Sequence, residues 1–339
     1  MKLMKTEEAI GQVLCHDITQ IIKGVTKKPV FKKGHIITKE DIPVLLSVGK
    51  DNVYIWENNA NMLHENEAAV ILRNICQGSN MHGSEPSEGK IELLADCDGL
   101  FTVDTQRLDK VNALGEMMIA TRHGNFVVHK GDKLAGTRII PLVIEKDKMA
   151  KAQATAGKEP LLQVVPFKKK TFGVVTTGNE VFYGRIQDTF TDVIIDKLGE
   201  FDATMEKHVV LNDDPAKITA AINEMLAAGL DMVFCTGGMS VDPDDQTPKA
   251  IKDTGAKVVS YGAPVLPGAM FLLAYTSEGK PIVGLPGCVM YSKRTIFDLI
   301  LPRLLADIPV SAQDLSSLGE GGLCLNCKVC TFPNCGFGK

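Results

Sequence analysis

Residues 231–248 read DMVFCTGGMSVDPDDQTP, an apolar run that passes directly into two glycines and then into a cluster of carboxylates. Met232, Val233, Phe234 and Cys235 suit a central parallel strand buried on both faces, where alternation of apolar and polar residues disappears. Gly237 and Gly238 let the backbone turn sharply at the strand's end and approach a ligand closely. In open α/β sheets, ligands bind beyond the carboxyl ends of the strands. Asp242, Asp244 and Asp245 add three carboxylates within four residues, a hard-oxygen set able to hold a cation beside an anion. A solvated acidic loop with turn glycines has the same composition, so the surrounding sequence has to decide.

Around this stretch the rhythm is strand, helix, strand, helix. Thr171 to Thr177 reads as a strand, Asp188 to Leu198 as a helix with Phe190, Val193, Ile194 and Leu198 on one face, and Val209 to Leu211 as part of a second strand. Asp214-Pro215 opens the next helix as cap and first residue, Ile218, Ile222, Met225 and Leu226 form its apolar stripe, and Gly229 stops it. Short helices joining buried strands imply a parallel sheet covered on both faces. Met270 to Tyr275 and Pro281 to Leu285 read as a hairpin-like pair at the sheet edge, and Val289 to Leu305 as a closing helix.

Ahead of this block the chain is richer in strands. PVFKKGHIITKEDIPVLLSVGKDNVYIW (29–56) reads as strand, turn, helix and strand, with Thr38 as cap and Gly49 as stop. Glu65 to Cys76 is helical, Gly78 to Gly89 has loop composition, and Lys146 to Ala156 is a short helix. FVVHKGDKLAGTRIIPLVI (126–144) alternates around Lys130-Gly131-Asp132 as a β-hairpin would. The expected division is a small α+β barrel-like segment at 1–60, a β-rich domain at 61–165, an α/β/α domain at 166–306, and a linker with a cysteine-rich tail at 307–339.

A net charge of −4 argues against a nucleic-acid partner, and no run of 18 apolar residues or signal-peptide core argues for a membrane or export. The reading is a cytoplasmic protein, so nine cysteines do not suggest a disulfide framework. The seven histidines show no metal-ligand spacing and read as surface or hairpin residues.

Three glycine turns converge at equivalent strand ends. Thr176-Thr177-Gly178-Asn179-Glu180, Thr236-Gly237-Gly238-Met239-Ser240 and Leu285-Pro286-Gly287 each follow a strand. Their backbone amides and the hydroxyls of Thr176, Thr177, Thr236 and Ser240 can cradle a phosphate.

TTGNEV, GRIQD, LNDD, CTGGMSVDPDD and GLPG, in this order over roughly residues 165–305, resemble the molybdopterin-binding domain shared by MoeA-type molybdenum insertases and MogA-type adenylyltransferases. KGDKLAGTRIIPLVI and FKKGHIITKEDIPVLLSVGKDNVYI resemble the preceding MoeA-type segments. The resemblance implies a three-layer α/β/α domain that binds molybdopterin or its adenylylated form on Thr176, Thr177, Gly178, Glu180, Thr236, Gly237, Gly238, Ser240, Pro286 and Gly287. It implies Asp245 and Asp188 as catalytic acids and Asp244 with Asp245 as Mg²⁺ ligands, in a molybdopterin molybdotransferase acting on molybdate or tungstate. A homodimer, and molybdoenzymes or other cofactor-pathway proteins as partners, follow from the resemblance alone. Asp188 equally suits a helix N-terminus, where the dipole stabilises a carboxylate.

The sequence departs from the insertase pattern in three places. Ala269 follows Pro267-Gly268 where insertases carry lysine, Cys288-Val289 stands for Asn-Pro after Leu285-Pro286-Gly287, and the Ser-x-Met-Asp-Gly-Tyr-Ala segment is absent. Loss of cations removes stabilisation of a developing oxyanion, so a non-catalytic cofactor carrier or sensor is the alternative. GGMSVDPDDQT also resembles the GGLGPTxDDxT motif of CinA-type nucleotide pyrophosphatases, with Asp244, Asp245 and Thr247 matching, which gives a third reading.

Cys324, Cys327, Cys330 and Cys335 form a metal-ligand run. Zinc in a closed four-cysteine site and a 4Fe-4S cluster both fit such spacing, and the ferredoxin-like C-x2-C-x2-C with Pro333 nearby favours the cluster.

Overall fold

The computed structural model describes residues 2–22, 26–55 and 60–339, which leaves Trp56, expected at the end of a strand, outside the described residues. The chain divides into two compact units: Met1–Cys97 with Val103–Arg122 and His129–Val164, and Asp98–Thr102 with His123–Val128 and Val165–Lys339.

In the first unit, Lys2–Lys5 pairs antiparallel with Asn52–Ile55, and Ile18–Ile22 with Thr26–Phe31. With the helix Asp41–Ser47 they enclose a small core of Leu14, Ile18, Ile37, Leu45, Val53 and Ile55. Thr38 donates to the Asp41 carboxylate through its amide and hydroxyl, so the expected start signal is present, one turn ahead of the first helical residue. The helix Glu65–Cys76 forms where the sequence places it. His64 and Glu67 close a capping box, and Ala68, Ala69, Leu72, Ile75 and Cys76 face inward. His64 is therefore buried, against the expectation of a surface histidine, with Nε2 2.7 Å from the Cys15 carbonyl oxygen.

The stretch expected as one hairpin about Lys130-Gly131-Asp132 behaves differently. Phe126–Val128 pairs with Gly99–Val103, whereas Lys133–Ile139 is bonded between Lys90–Ala95 and Met117–Thr121. The tight turn is real, with the Asp132 amide donating to the His129 carbonyl, but its two arms join different sheets. The loop expected at 78–89 contains a short strand, Met81–Gly83, on Lys90–Ala95.

The second unit is a doubly covered α/β sheet. Its strands are β1 (Lys170–Thr177), β2 (Ala203–Leu211), β3 (Met232–Thr236), β4 (Lys257–Tyr261), β5 (Leu272–Tyr275) and β6 (Pro281–Leu285). They lie in the order β2-β1-β3-β6-β5-β4, parallel across β2, β1, β3 and β6 and antiparallel from β6 to β4. The pair β5 and β6 is antiparallel as expected but not at the edge, because β4, missed in the sequence, lies outside it.

Residue alternation assigns the layers. Phe172, Val174, Phe234 and Leu285 pack with Ile194 and Leu198 of α1 (Phe190–Gly199) and with Phe297 and Leu301 of α4 (Ile296–Leu305). Val175, Val233, Cys235 and Ile282 face the other way, onto Ile218, Ile222 and Met225 of α2 (Pro215–Ala227) and Ala250 and Ile251 of α3 (Thr247–Asp253). Both sheet faces are thus buried, giving the three-layer α/β/α arrangement. The closing helix starts later than expected, at the Thr295–Asp298 capping box, and a 3-10 turn, Gly287–Met290, precedes it.

The segment read as a linker is packed onto this unit. It carries a short helix, Ala312–Ser316, and Val310 and Leu315 are buried. No helix among the described residues is long and apolar enough to cross a membrane.

Phe234 is fully buried, with ring centroids 5.6 Å from Phe172 and 5.4 Å from Phe297. Phe234→Ala is expected to cost about 3–5 kcal/mol in denaturant unfolding, the range for emptying an aromatic core site.

Candidate functional site

Register decides which residues meet. Thr176 of β1 is paired with Thr236 of β3, and Thr236 with Leu285 of β6, so three parallel strands end side by side. The glycine turns that follow bound one cleft of about 750 Å³. It is lined by Thr176, Thr177, Glu180, Asp188, Thr236, Gly237, Gly238, Ser240, Asp245, Pro286 and Gly287, all named from the sequence, and also by Asp242, the segment 266–270 and Cys288. Gly178 and Asp244 are the two expected site residues that do not line it.

The first turns are fixed from below. Gly237 has φ +79°, and a Cβ there would lie 2.0 Å from the Thr177 carbonyl oxygen. Gly238 has φ +53°, and a Cβ would lie 2.9 Å from the Thr247 hydroxyl. Thr177 Oγ1 donates to the Thr236 carbonyl and meets Thr247 Oγ1 at 3.0 Å, so the β1 and β3 turns and the start of α3 are tied through buried hydroxyls. Tyr261 of β4 donates to the carbonyls of Met239 and Ser240, holding the next two residues of the loop. Gly287 is different: it has no positive φ, and a Cβ would meet nothing within 4 Å.

Asp188 is engaged on both oxygens. Oδ1 accepts from the amides of Phe190 and Thr191, and Oδ2 from the hydroxyls of Thr191 (2.7 Å) and Thr176 (3.1 Å). Burial opposes its charge, but these hydrogen bonds outweigh it and hold the carboxyl below its usual 3.8. His208 Nε2 lies 3.0 Å from Thr176 Oγ1 and 3.3 Å from Asp188 Oδ2. Such an Asp188 positions Thr176 and holds the first amides of α1.

Asp245 folds the acidic loop on itself, its amide donating to the Asp242 carbonyl and its Oδ2 accepting from the Asp242 amide. Asp213, which the sequence reading left without a role, accepts from the Asn179 amide at 3.0 Å. Burial, with Glu180, Asp245 and Asp244 as neighbouring negative charges, pushes its carboxyl up despite that amide. Its signal in the sequence was a second acid directly before the helix cap Asp214. Thr236 Oγ1 is fully buried and has no hydrogen-bond partner among the described residues.

The electrostatics are one-sided. Glu180, Asp188, Asp242 and Asp245 line the cleft, and among the described residues no lysine, arginine or histidine does. Lys249, Lys293 and Arg294, the basic residues nearest these motifs in the sequence, are not in the lining. The donors that this cleft offers to an anion are therefore backbone amides and hydroxyls. Among the described residues no three His, Cys, Asp or Glu side chains are gathered closely enough to grip a single ion, in the cleft or in the tail.

Residues 173–306 match the family described as a probable molybdopterin binding domain, and residues 3–57 match one described only as a domain of unknown function. The molybdopterin molybdenumtransferase of Synechococcus elongatus is 22% identical over 335 residues, covering 87% of this chain and 78% of that one. A CinA-like protein of a Mycobacterium species is 36% identical over 75 residues, covering 22% of this chain and only 18% of its own length. Among solved structures, the molybdopterin biosynthesis enzyme MoaB of Thermus thermophilus aligns with TM-score 0.34 and 19% identity, over 41% of this chain and 94% of that chain. The α/β/α unit thus carries a molybdopterin-binding domain of the cofactor-biosynthesis type, as its motifs implied.

Two substitutions separate scaffold from surface. Gly237→Ala is expected to lose more than about 1–2 kcal/mol in denaturant unfolding, from its left-handed backbone alone, whereas Gly287→Ala should stay within about 0.5 kcal/mol. For Asp188, a depressed carboxyl contributes stability that is present above its unfolded value of 3.8 and is lost as pH falls through the lower folded value. The advantage of the native chain over Asp188→Asn should therefore be full at neutral pH and vanish on acidification below about pH 4, read from melting temperatures across pH.

Proposed function

We propose that the chain is a molybdopterin-binding protein of molybdenum or tungsten cofactor biosynthesis, acting in the cytoplasm as a divergent molybdate insertase. The carrying observation is the convergence of three glycine turns, from β1, β3 and β6, on one cleft within a domain that matches the molybdopterin-binding family. The pterin phosphate sits on the amides of Gly237, Gly238 and Gly287 and on the hydroxyls of Thr177, Thr236 and Ser240. The unpartnered Thr236 hydroxyl supports this, because a buried polar group without a partner costs about 1–3 kcal/mol until something satisfies it.

Asp245, with Asp244 or Asp242 beside it, holds Mg²⁺ against the phosphate and the incoming molybdate or tungstate. Asp188 serves mainly to orient Thr176, so its removal weakens binding more than turnover. The four tail cysteines carry a metal centre, 4Fe-4S or zinc. A homodimer and delivery to molybdoenzymes belong to the same reading.

The one-sided charge of the cleft favours a second reading, a carrier or sensor that binds the cofactor without transforming it. Purified protein incubated with adenylylated molybdopterin, molybdate and Mg²⁺ distinguishes them. Release of AMP with metal incorporation, abolished in Asp245→Asn, is the insertase outcome; tight binding without AMP release is the carrier outcome. Cleavage of free dinucleotides with no pterin binding would instead indicate the CinA-like pyrophosphatase. Omitting Mg²⁺ is expected to weaken pterin binding by at least about tenfold, or about 1.4 kcal/mol. Failure of both pterin forms to bind below about 100 µM sinks the reading.

A further inference from the structure

Away from the cleft, the tail's four cysteines share one space. Cys324, Cys327, Cys330 and Cys335 all line a cavity of about 200 Å³ whose other walls include Pro267, Arg294, Phe332 and Phe337. Cys327 and Cys330 are exposed and Cys324 and Cys335 half-buried, so an outer turn carries two thiols over a firmer base that carries the others.

The base is built into the α/β/α unit. The Leu266 amide donates to the Gly322 carbonyl and the Cys324 amide to the Leu266 carbonyl, each at 2.8 Å, so the chain beside Cys324 makes a parallel β-bridge to Leu266. Beyond Cys335, Phe337 is buried in the sheet's core, and a Cβ at Gly338 would lie 2.4 Å from Leu299. The Gly338 amide returns to the Gly321 carbonyl at 2.9 Å, closing the tail into a loop.

Size and charge choose the occupant. Zinc draws four sulfurs to about 2.3 Å from one point, which leaves no space between them. Here the four cysteines line one cavity of about 200 Å³ together with Leu323, Phe332 and Phe337, space for a polynuclear core rather than a single ion. Lys293 and Arg294 also line it, Arg294 stacked over Phe332 at 5.0 Å and bonded to Asp298 at 2.9 Å, so fixed positive charge faces a cluster whose thiolates leave it net negative.

We propose that Cys324, Cys327, Cys330 and Cys335 ligate a 4Fe-4S cluster, and that the cluster fixes the Leu266–Pro267 segment, which is at once the floor of this cavity and a wall of the pterin cleft. Pro267 lines both spaces, and Leu266 lines the cleft while it pairs with the tail. As each sulfur binds iron, its thiol proton passes to solvent. No electron transfer is needed if iron is supplied as an equal mixture of ferrous and ferric ions with sulfide. The site goes beyond the pterin reading in naming the metal and linking it to the cleft, and it is tested without pterin.

The full chain is reconstituted anaerobically with that iron mixture and sulfide. The expected result is a brown protein with about four iron and about four sulfide per chain. Cys327→Ser and Cys330→Ser, both at exposed positions, should lose most of the iron, while Cys97→Ser retains it. Loading should slow hydrogen exchange at the Leu266 and Cys324 amides by about tenfold or more. A colourless chain holding one zinc on the same cysteines overturns the cluster. So does iron that survives both serine substitutions, and unchanged exchange at Leu266 and Cys324 overturns the link to the cleft. None of these outcomes bears on whether pterin binds, so the two readings fail separately.

Discussion

The parallel register of β1, β3 and β6 is the constraint on which the rest of the α/β/α unit depends. Thr176, Thr236 and Leu285 are neighbours in one row of backbone hydrogen bonds, and each is the last or next-to-last residue of its strand. Because a parallel strand offset by one residue would turn every side chain to the opposite layer, the two buried faces lock that row in place. Phe172 and Phe234 can then face α1 and α4 while Val175 and Cys235 face α2 and α3. Three turns that are distant in sequence become adjacent because their strands stop at the same level.

The cleft's chemistry grows from that alignment. Gly237 passes within a Cβ's reach of the Thr177 carbonyl, which only glycine permits, and the buried threonine hydroxyls link the turns. Asp188 has both its oxygens occupied, in holding Thr176, Thr191 and the first amides of α1. Asp245 instead bonds within its own loop, its Oδ2 accepting from the Asp242 amide.

The central strands and their helices were legible because several signals coincide there. Asp214-Pro215 announces α2, the apolar run of β3 has no polar interruption, and glycines mark the strand ends. Features set by long-range pairing were not. KVVSY of β4 is short and half exposed, so it lacks the pattern of a buried strand. A tight turn at Lys130-Gly131-Asp132 says that the chain reverses, not which sheet receives each arm. The glycines of the segment 319–322 look like linker residues in composition, yet a Cβ at Gly321 would lie 2.1 Å from the Lys339 carbonyl oxygen, a closeness that only the folded tail creates. His208 reaches Thr176, and Asp213 the Asn179 amide, because β2 lies beside β1, which no local pattern encodes.

The absence of any base among the described cleft residues has a kinetic consequence. Long-range attraction normally speeds the encounter of a charged ligand with its site and fades with added salt. Here an anionic ligand would meet a mouth of like charge, so the field would slow its arrival and mobile counterions would relieve the repulsion. For such a ligand, association should quicken as ionic strength rises.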